Sequence, residues 1–260
     1  VASSITTRGT KRRRGRRPPD GGGRRGAGRG RATGRGRITG RARGGGPISD
    51  LTAQRLSVYL RCLDDLEKGG VATTSSQRLA DLYALNSAQI RKDLAQFGEF
   101  GVRGVGYTVG DLRRALARIL GLTREWKVVI VGAGNLGMAL ADYGGFNREG
   151  FTIVGLFDSD AAKVGGRSRG GVPVHDIRDL PAIVRREQVS LAVLAVPATE
   201  AEGALDRVER AGLRGILNFA PIRLRARPGM TIKAVDLKVQ LENLVYHVTR
   251  DDDGPAGGRA

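Results

Sequence analysis

Residues 127–137 read K-V-V-I-V-G-A-G-N-L-G. Val128 to Val131 form a continuous β-branched run, the pattern of a strand buried on both faces. Gly132, Gly134 and Gly137 follow at G-x-G-x-x-G spacing, with Ala133, Asn135 and Leu136 between them. Leu136, Met138, Ala139, Leu140 and Ala141 then open a helix. Strand, tight turn and helix in that order give the glycines a physical meaning. The first permits the turn, the second lets backbone N–H groups approach a pyrophosphate, and the third lets helix and strand pack closely. The helix start offers unpaired N–H groups and a positive dipole end to the same anion.

A G-x-G-x-x-G on its own is weak in a chain with 40 glycines. The next apolar run, Phe151–Phe157, ends at Asp158, 21 positions beyond Gly137. That is close to the ~20 expected of the acid that accepts from an adenosine ribose diol. A carboxylate there repels a 2′-phosphate, so NAD(H) is expected over NADP(H). Further on, Val172–Val174 is a short strand and Ile177–Glu187 a helix. Leu191–Val196 is another apolar strand, ending at Pro197. Thr199-Glu200-Ala201-Glu202 reads as a capping box for a helix to Ala211. Gly215–Leu217 and Thr231–Val235 are strands, the first running into Asn218-Phe219-Ala220-Pro221. Asp236–Arg250 is a helix striped with Leu237, Leu241, Leu244 and Val245. Such alternation predicts an α/β fold, a doubly wound parallel sheet of Rossmann type. Its ligand loops then lie at the strand C-termini, near Gly132, Asp158, Val196-Pro197 and Asn218-Phe219.

Upstream the pattern is helical. Ser49–Lys68 carries Leu51, Leu56, Tyr59, Leu60, Leu63 and Leu66 at helical spacing, and Gly69-Gly70 stops it. Thr74-Ser75-Ser76-Gln77 reads as a capping box for a second helix with Leu79, Leu82 and Tyr83 inward. Asn86-Ser87-Ala88-Gln89 caps a third, whose apolar face is Ile90, Leu94 and Phe97 and whose other face is Gln89, Arg91, Lys92 and Gln96. Gly98–Thr108 alternates Phe100, Val102, Val105 and Tyr107 with glycines and reads as a hairpin with Arg103 and Gly104 near its tip. Val109–Leu120 is a closing helix. Two short helices, a tight turn and a basic wing predict a winged helix-turn-helix that contacts DNA. Gln89, Arg91 and Lys92 suit base edges. Ser75, Ser76 and Arg61 suit the phosphates, and the wing residues Arg103 and Gly104 can reach the backbone or the minor groove. The bland alternative for Arg91-Lys92 is a solvated helix face.

Charge divides the chain further. Net charge is +18, but residues 1–46 hold fifteen of the 44 Lys/Arg and a single acid, Asp20. That Arg/Gly segment has too few apolar residues to offset chain entropy and is expected to be disordered. Two readings stay open: an arm on nucleic-acid phosphates, or an extension of the reading frame, which mass spectrometry of the natural N-terminus would separate. Cys62 is the one cysteine, on an apolar helix face, so a small core residue is expected rather than a disulfide or metal ligand. No apolar run approaches the ~20 residues of a membrane span, and no secretory h-region is seen, so a cytoplasmic protein is expected. The expected organisation is therefore a tail (1–46), a winged helix (47–122), a nucleotide-binding sheet (123–235), a terminal helix (236–250) and a second tail (251–260).

Four blocks together carry a family resemblance: Arg91-Lys92-Asp93-Leu94, Arg103-Gly104-Val105-Gly106-Tyr107, Val131-Gly132 through Gly137, and Gly215 through Pro221. They resemble Rex, the bacterial redox-sensing transcriptional repressor family, over about residues 47–250. The resemblance implies a homodimer on palindromic operator DNA that senses the NADH/NAD⁺ balance and lets go when NADH binds. It also implies that the Asp236–Arg250 helix is exchanged between subunits. Some members carry Arg where Asn135 stands, pairing with an Asp equivalent to Asp236. Asn135 cannot form that ion pair, so a retained switch must use hydrogen bonds or Tyr143. Discrimination between the coenzymes falls to the nicotinamide pocket, for which Val196, Pro197, Phe219, Ala220 and Pro221 are the candidates, with Asn218 beside them. Two other readings compete. An NAD-dependent oxidoreductase needs an acid–base group at the ring, and only His175 and His247 are histidines. A regulator binding coenzyme A or another adenine nucleotide needs the same sheet.

Overall fold

The computed structural model describes residues 48–101, 105–148 and 150–252. The Arg/Gly tail, the last residues from 253, and Arg103 and Gly104 lie outside the described residues.

The first unit is helical. Helix α1 (Asp50–Lys68) starts where the Ser49 hydroxyl accepts from the Thr52 N–H and stops at Gly69. Strand β1 (Thr73–Thr74) leads into α2 (Ser76–Tyr83), and a short turn joins it to α3 (Ser87–Ala95), capped by Asn86. Strand β2 (Tyr107–Thr108) pairs antiparallel with β1, and α4 (Val109–Ile119) packs back on α1. Leu56, Leu63, Ile90 and Leu116 are wholly buried between them. Each contributes about 1.5–3 kcal/mol by leaving water. Cys62 is buried among them as a packing residue.

Several local expectations need correction. The α2 cap is Ser75, not Thr74: the Ser75 hydroxyl accepts from the Arg78 N–H, while Thr74 is drawn into β1 and its buried hydroxyl has no partner among the described residues. The described strand partner of Tyr107-Thr108 is thus Thr73-Thr74, ahead of α2, rather than the other half of a local hairpin. Leu51 and Leu82 face outward, at 66% and 55% exposure. Ala80 takes the inward place beside Leu79.

The second unit is a six-stranded all-parallel sheet in the order β5-β4-β3-β6-β7-β8. Its strands are β3 (Trp126–Val131), β4 (Phe151–Asp158), β5 (Val174–Asp176), β6 (Leu191–Leu194), β7 (Gly215–Asn218) and β8 (Thr231–Ala234). Helix α5 (Asn135–Ala141) and the short α6 (Gly144–Arg148) follow β3, α7 (Leu180–Glu187) precedes β6, and α8 (Ala201–Arg210) follows it. Chain order reverses between β3 and β6, the switch point at which open α/β sheets bind ligands. The Rossmann expectation is met. Its details shift: Thr199 caps nothing, because Ala198–Glu200 forms a 3₁₀ turn into α8, and Ile177–Asp179 is a 3₁₀ turn ahead of α7.

The two sheet faces differ. Leu180, Leu194, Leu205 and Val208 close the α7–α8 face. On the other, a groove of about 310 Å³ crosses Val128, Ile153, Leu191 and Leu217. Helix α9 (Leu237–Asp252) ends the fold with its stripe bare: Leu237, Leu241, Leu244 and Val245 are 59–64% exposed. Among the described residues, no helix is long and apolar enough to cross a membrane.

Candidate functional site

The glycine turn has three separable geometries. Gly132 sits at φ +104°, and a Cβ on it would lie 2.4 Å from the Ala195 carbonyl oxygen. Both facts exclude other residues where β3 passes the end of β6. A Cβ on Gly137 would meet the Gly132 oxygen at 1.9 Å, so α5 can pack on the turn only if that residue has no side chain. At Gly134 a Cβ would meet no protein atom within 4 Å. Its open side is where the sequence reading places a pyrophosphate.

Asp158 comes to this turn. Its carboxylate accepts the Ala133 N–H at 2.8 Å and the Asp160 N–H at 2.9 Å, and Lys163 Nζ lies 3.0 Å away. Burial pushes the carboxyl up, but the N–H donors of Asp160 and Ala133 and the Lys163 ammonium outweigh it and hold it below the ordinary carboxylate range. The carboxylate is therefore charged and fixed beside the turn. A cleft here is lined by Gly132, Asp158, Ser159, Val196, Glu200 and Arg207, among others. The sequence reading missed Lys163 and Arg207. Arg207 was legible: Glu200, Ala204 and Arg207 share one face at helical spacing, directly after a strand end.

Of the five residues expected around a nicotinamide ring, Val196 lines the cleft. Val196 and Ala220 pack with the α7–α8 face, Phe219 packs with the α5 face, and Pro197 and Pro221 are exposed. Phe219 and Ala220 lie just past β7, in the loop that Asn218 closes. Asn218 is buried and staples its own loop: its amide accepts the Ala220 N–H and donates to the Ala220 and Ile222 carbonyls. Asn135 begins α5, and Tyr143 stands 59% exposed with its ring edge-on to Phe146. The Asp236 carboxylate accepts from Lys238 and Val239 N–H, so it caps α9.

On α3, Arg91 and Lys92 are exposed while Asp93 is 1% exposed on the opposite side. Arg55 of α1 grips Asp93 with two hydrogen bonds of 2.6 and 2.8 Å; Tyr59 and Gln89 donate to the same carboxylate. Burial and the Asp93 hydrogen bond push the Tyr59 hydroxyl up to about 12. Gln89 thus turns toward Asp93 rather than presenting a free amide for a base. Ser75 and Ser76, expected at phosphates, are engaged inside the fold. Ser75 caps α2, and the buried Ser76 hydroxyl accepts from Arg91 at 3.0 Å. Arg61 is exposed on α1. The Lys92 ammonium has no hydrogen-bond or ion-pair partner among the described residues.

Comparison with known proteins adds to this geometry. Residues 47–95 match a family described as putative DNA-binding protein N-terminus, and residues 123–222 match the CoA binding domain family. The redox-sensing transcriptional repressor Rex of Carboxydothermus hydrogenoformans is 46% identical over 204 residues, covering 78% of this chain and 98% of that protein. The protein of the same name from Pelotomaculum thermopropionicum is 43% identical over 79% of this chain and 96% of its own length. This chain belongs to the Rex family of redox-sensing transcriptional repressors. A crystal structure of RSP, a Rex-family repressor, with β-NAD⁺ and operator DNA superposes with a TM-score of 0.74 at 34% identity, covering 80% of this chain and 95% of RSP. RSP with β-NADH gives 0.71 at 33% identity over 80% and 97%. The Rex resemblance read from the four sequence blocks is thereby confirmed, and with it the Rossmann sheet behind a DNA-binding N-terminal unit.

Proposed function

We propose that this chain represses transcription from the cytoplasm as a homodimer, holding operator DNA through α2 and α3 and releasing it when NADH occupies the cleft beside Gly132 and Asp158. One observation carries the reading. The exposed Arg91-Lys92 face and the open side of Gly134 stand in a single chain whose relative RSP has been crystallised with NAD⁺ and operator DNA, and with NADH. The bare apolar stripe of α9 has no cover within the chain's described residues, which supports an α9 exchanged between two copies. No acid–base role is assigned to any residue, and the reading is of a regulator rather than a catalyst.

NAD⁺ and NADH share their adenosine and pyrophosphate, so the turn and Asp158 supply affinity and little discrimination. The oxidised ring carries a positive charge, and apolar surroundings oppose burying it unpaired. Each 1.4 kcal/mol of such opposition gives about tenfold selectivity. Closure over the neutral ring would re-space the two recognition helices, which need about 34–36 Å between half-sites. Operator DNA must then weaken NADH binding by the same factor.

Lys92→Ala is expected to weaken operator binding by roughly 1–3 kcal/mol if Lys92 reads a base. An equal loss on scrambled DNA would make it a phosphate contact. The coenzyme class is tested by melting shifts with NADH, NAD⁺, NADPH and CoA, since a ligand selective for the native state raises stability. A shift with CoA alone would favour the rival reading that the CoA binding domain match supports.

A further inference from the structure

Among the described residues, one ion pair joins the DNA-reading helices to the sheet. The Lys233 ammonium of β8 meets the Asp50 carboxylate in the first turn of α1, 183 positions away in the chain. In the sheet register Lys233 stands beside Leu217 of β7, the strand that runs into Asn218 and its loop at the ligand end. Asp50 opens the helix that carries Arg55 and Tyr59, whose hydrogen bonds to Asp93 fasten α3. A contiguous path therefore leads from the sheet through Lys233, Asp50 and α1 to the helix that presents Arg91 and Lys92. The covalent joint is pinned by different contacts. At the start of β3 the Trp126 indole N–H donates to the Gly121 carbonyl at 2.9 Å, and the Arg124 guanidinium lies 3.9 Å over the same ring. Gly121, at φ +74°, is where this linker turns.

We propose that the Lys233–Asp50 pair is a latch between the sheet and the DNA-reading helices, closed in one of the two arrangements of the repressor and open in the other. The inference rests on the NADH-release reading above and deepens it, by placing the movement at the joint within each protomer. A contact that spans the joint is lost when the angle there changes, whereas contacts on either side of it survive. The strength of the pair suits a switch. The two side chains are 50% and 73% exposed, so the pair is weak and opens at little cost. A buried pair would hold the joint fixed, because separating its charges is strongly unfavourable. When the latch is open, the Asp50 carboxylate still has the positive end of the α1 dipole beside it.

The test uses the full chain at low, fixed ionic strength, where surface charges are least screened. Operator affinity without NADH, and NADH affinity without operator, are measured for wild type, Lys233→Gln, Asp50→Asn and the swapped pair Asp50→Lys/Lys233→Glu, each first shown to melt as a folded protein. Losing a latch that is closed in only one arrangement moves the two affinities in opposite directions. Each neutral variant is expected to change their ratio by roughly two- to fivefold, both in the same sense. The swapped pair should return the ratio toward wild type. Neutral variants that leave the ratio unchanged, while NADH still releases operator, overturn the latch alone. A shifted ratio that the swapped pair fails to restore also overturns it. Wild type that holds operator whatever the NADH concentration overturns the NADH-release reading instead.

Discussion

Gly134→Ala is expected to cost little stability and to weaken the response to NADH severely, whereas Gly137→Ala should damage both. The two residues lie three positions apart in one turn, so the contrast is sharp. A Cβ at Gly134 meets no protein atom within 4 Å, and its φ of −82° suits alanine. Gly134 is the N-cap of α5, where alanine is poorer than glycine, so stability should fall by about 0.5–1 kcal/mol. The added methyl instead occupies space a pyrophosphate needs against the backbone, and about 3 kcal/mol of overpacking corresponds to roughly a 100-fold loss of NADH affinity. At Gly137 the Cβ would sit 1.9 Å from a backbone oxygen of the turn, with Ile130 behind it. The chain must move, at a cost of about 2–3 kcal/mol in stability. Calorimetry with and without NADH separates the two. Unchanged NADH binding by Gly134→Ala would remove the pyrophosphate from the open side of the turn.

Asp93→Ala should do the converse, losing operator binding while NADH still binds. Asp93 is the buried anchor that fastens α3 to α1 through Arg55 and Tyr59, and it also holds Gln89. Its removal strands these donors, at about 2–3 kcal/mol. Arg91 and Lys92 are then no longer presented at a fixed angle. The pH dependence follows from the same contacts. Burial pushes the Asp93 carboxyl up, but the hydrogen bonds from Arg55, Gln89 and Tyr59 outweigh it and hold it below its ordinary value. Its contribution is thus complete above the unfolded-state value of about 3.9 and is lost as pH falls through the lower folded value. Acid unfolding of Asp93→Asn should lack that component. If Asp93→Ala bound operator normally, the anchoring role would be wrong.

What was legible in the sequence follows from local physics. Strands buried on both faces read as apolar runs, so β3, β4, β6 and β7 stand out, and Gly132 and Gly137 carry steric demands that no other residue meets. Features set by distant partners were not legible. Thr74 resembles a cap until the pairing of β1 with β2 claims it, and Ser75 then takes the role. Leu51 and Leu82 follow helical spacing yet face outward, because spacing alone gives no edge to the buried stripe. Strand ends alone mark the nicotinamide candidates, whereas the way Phe219 and Ala220 pack depends on the loop that Asn218 closes. Lys163 lies on a turn that Asp160 closes by accepting from the Ala162 and Lys163 N–H groups, and that the Val174 carbonyl of β5 ties down by accepting from the Gly165 N–H. No periodicity announces such a contact.

The most direct test is operator binding by fluorescence anisotropy at fixed NAD⁺ while NADH is raised. Release of DNA as NADH rises, with NADH bound more weakly in the presence of operator by the same factor, is the predicted result. Operator occupancy that stays the same whichever form of the coenzyme fills the cleft would contradict a sensor built from these two units.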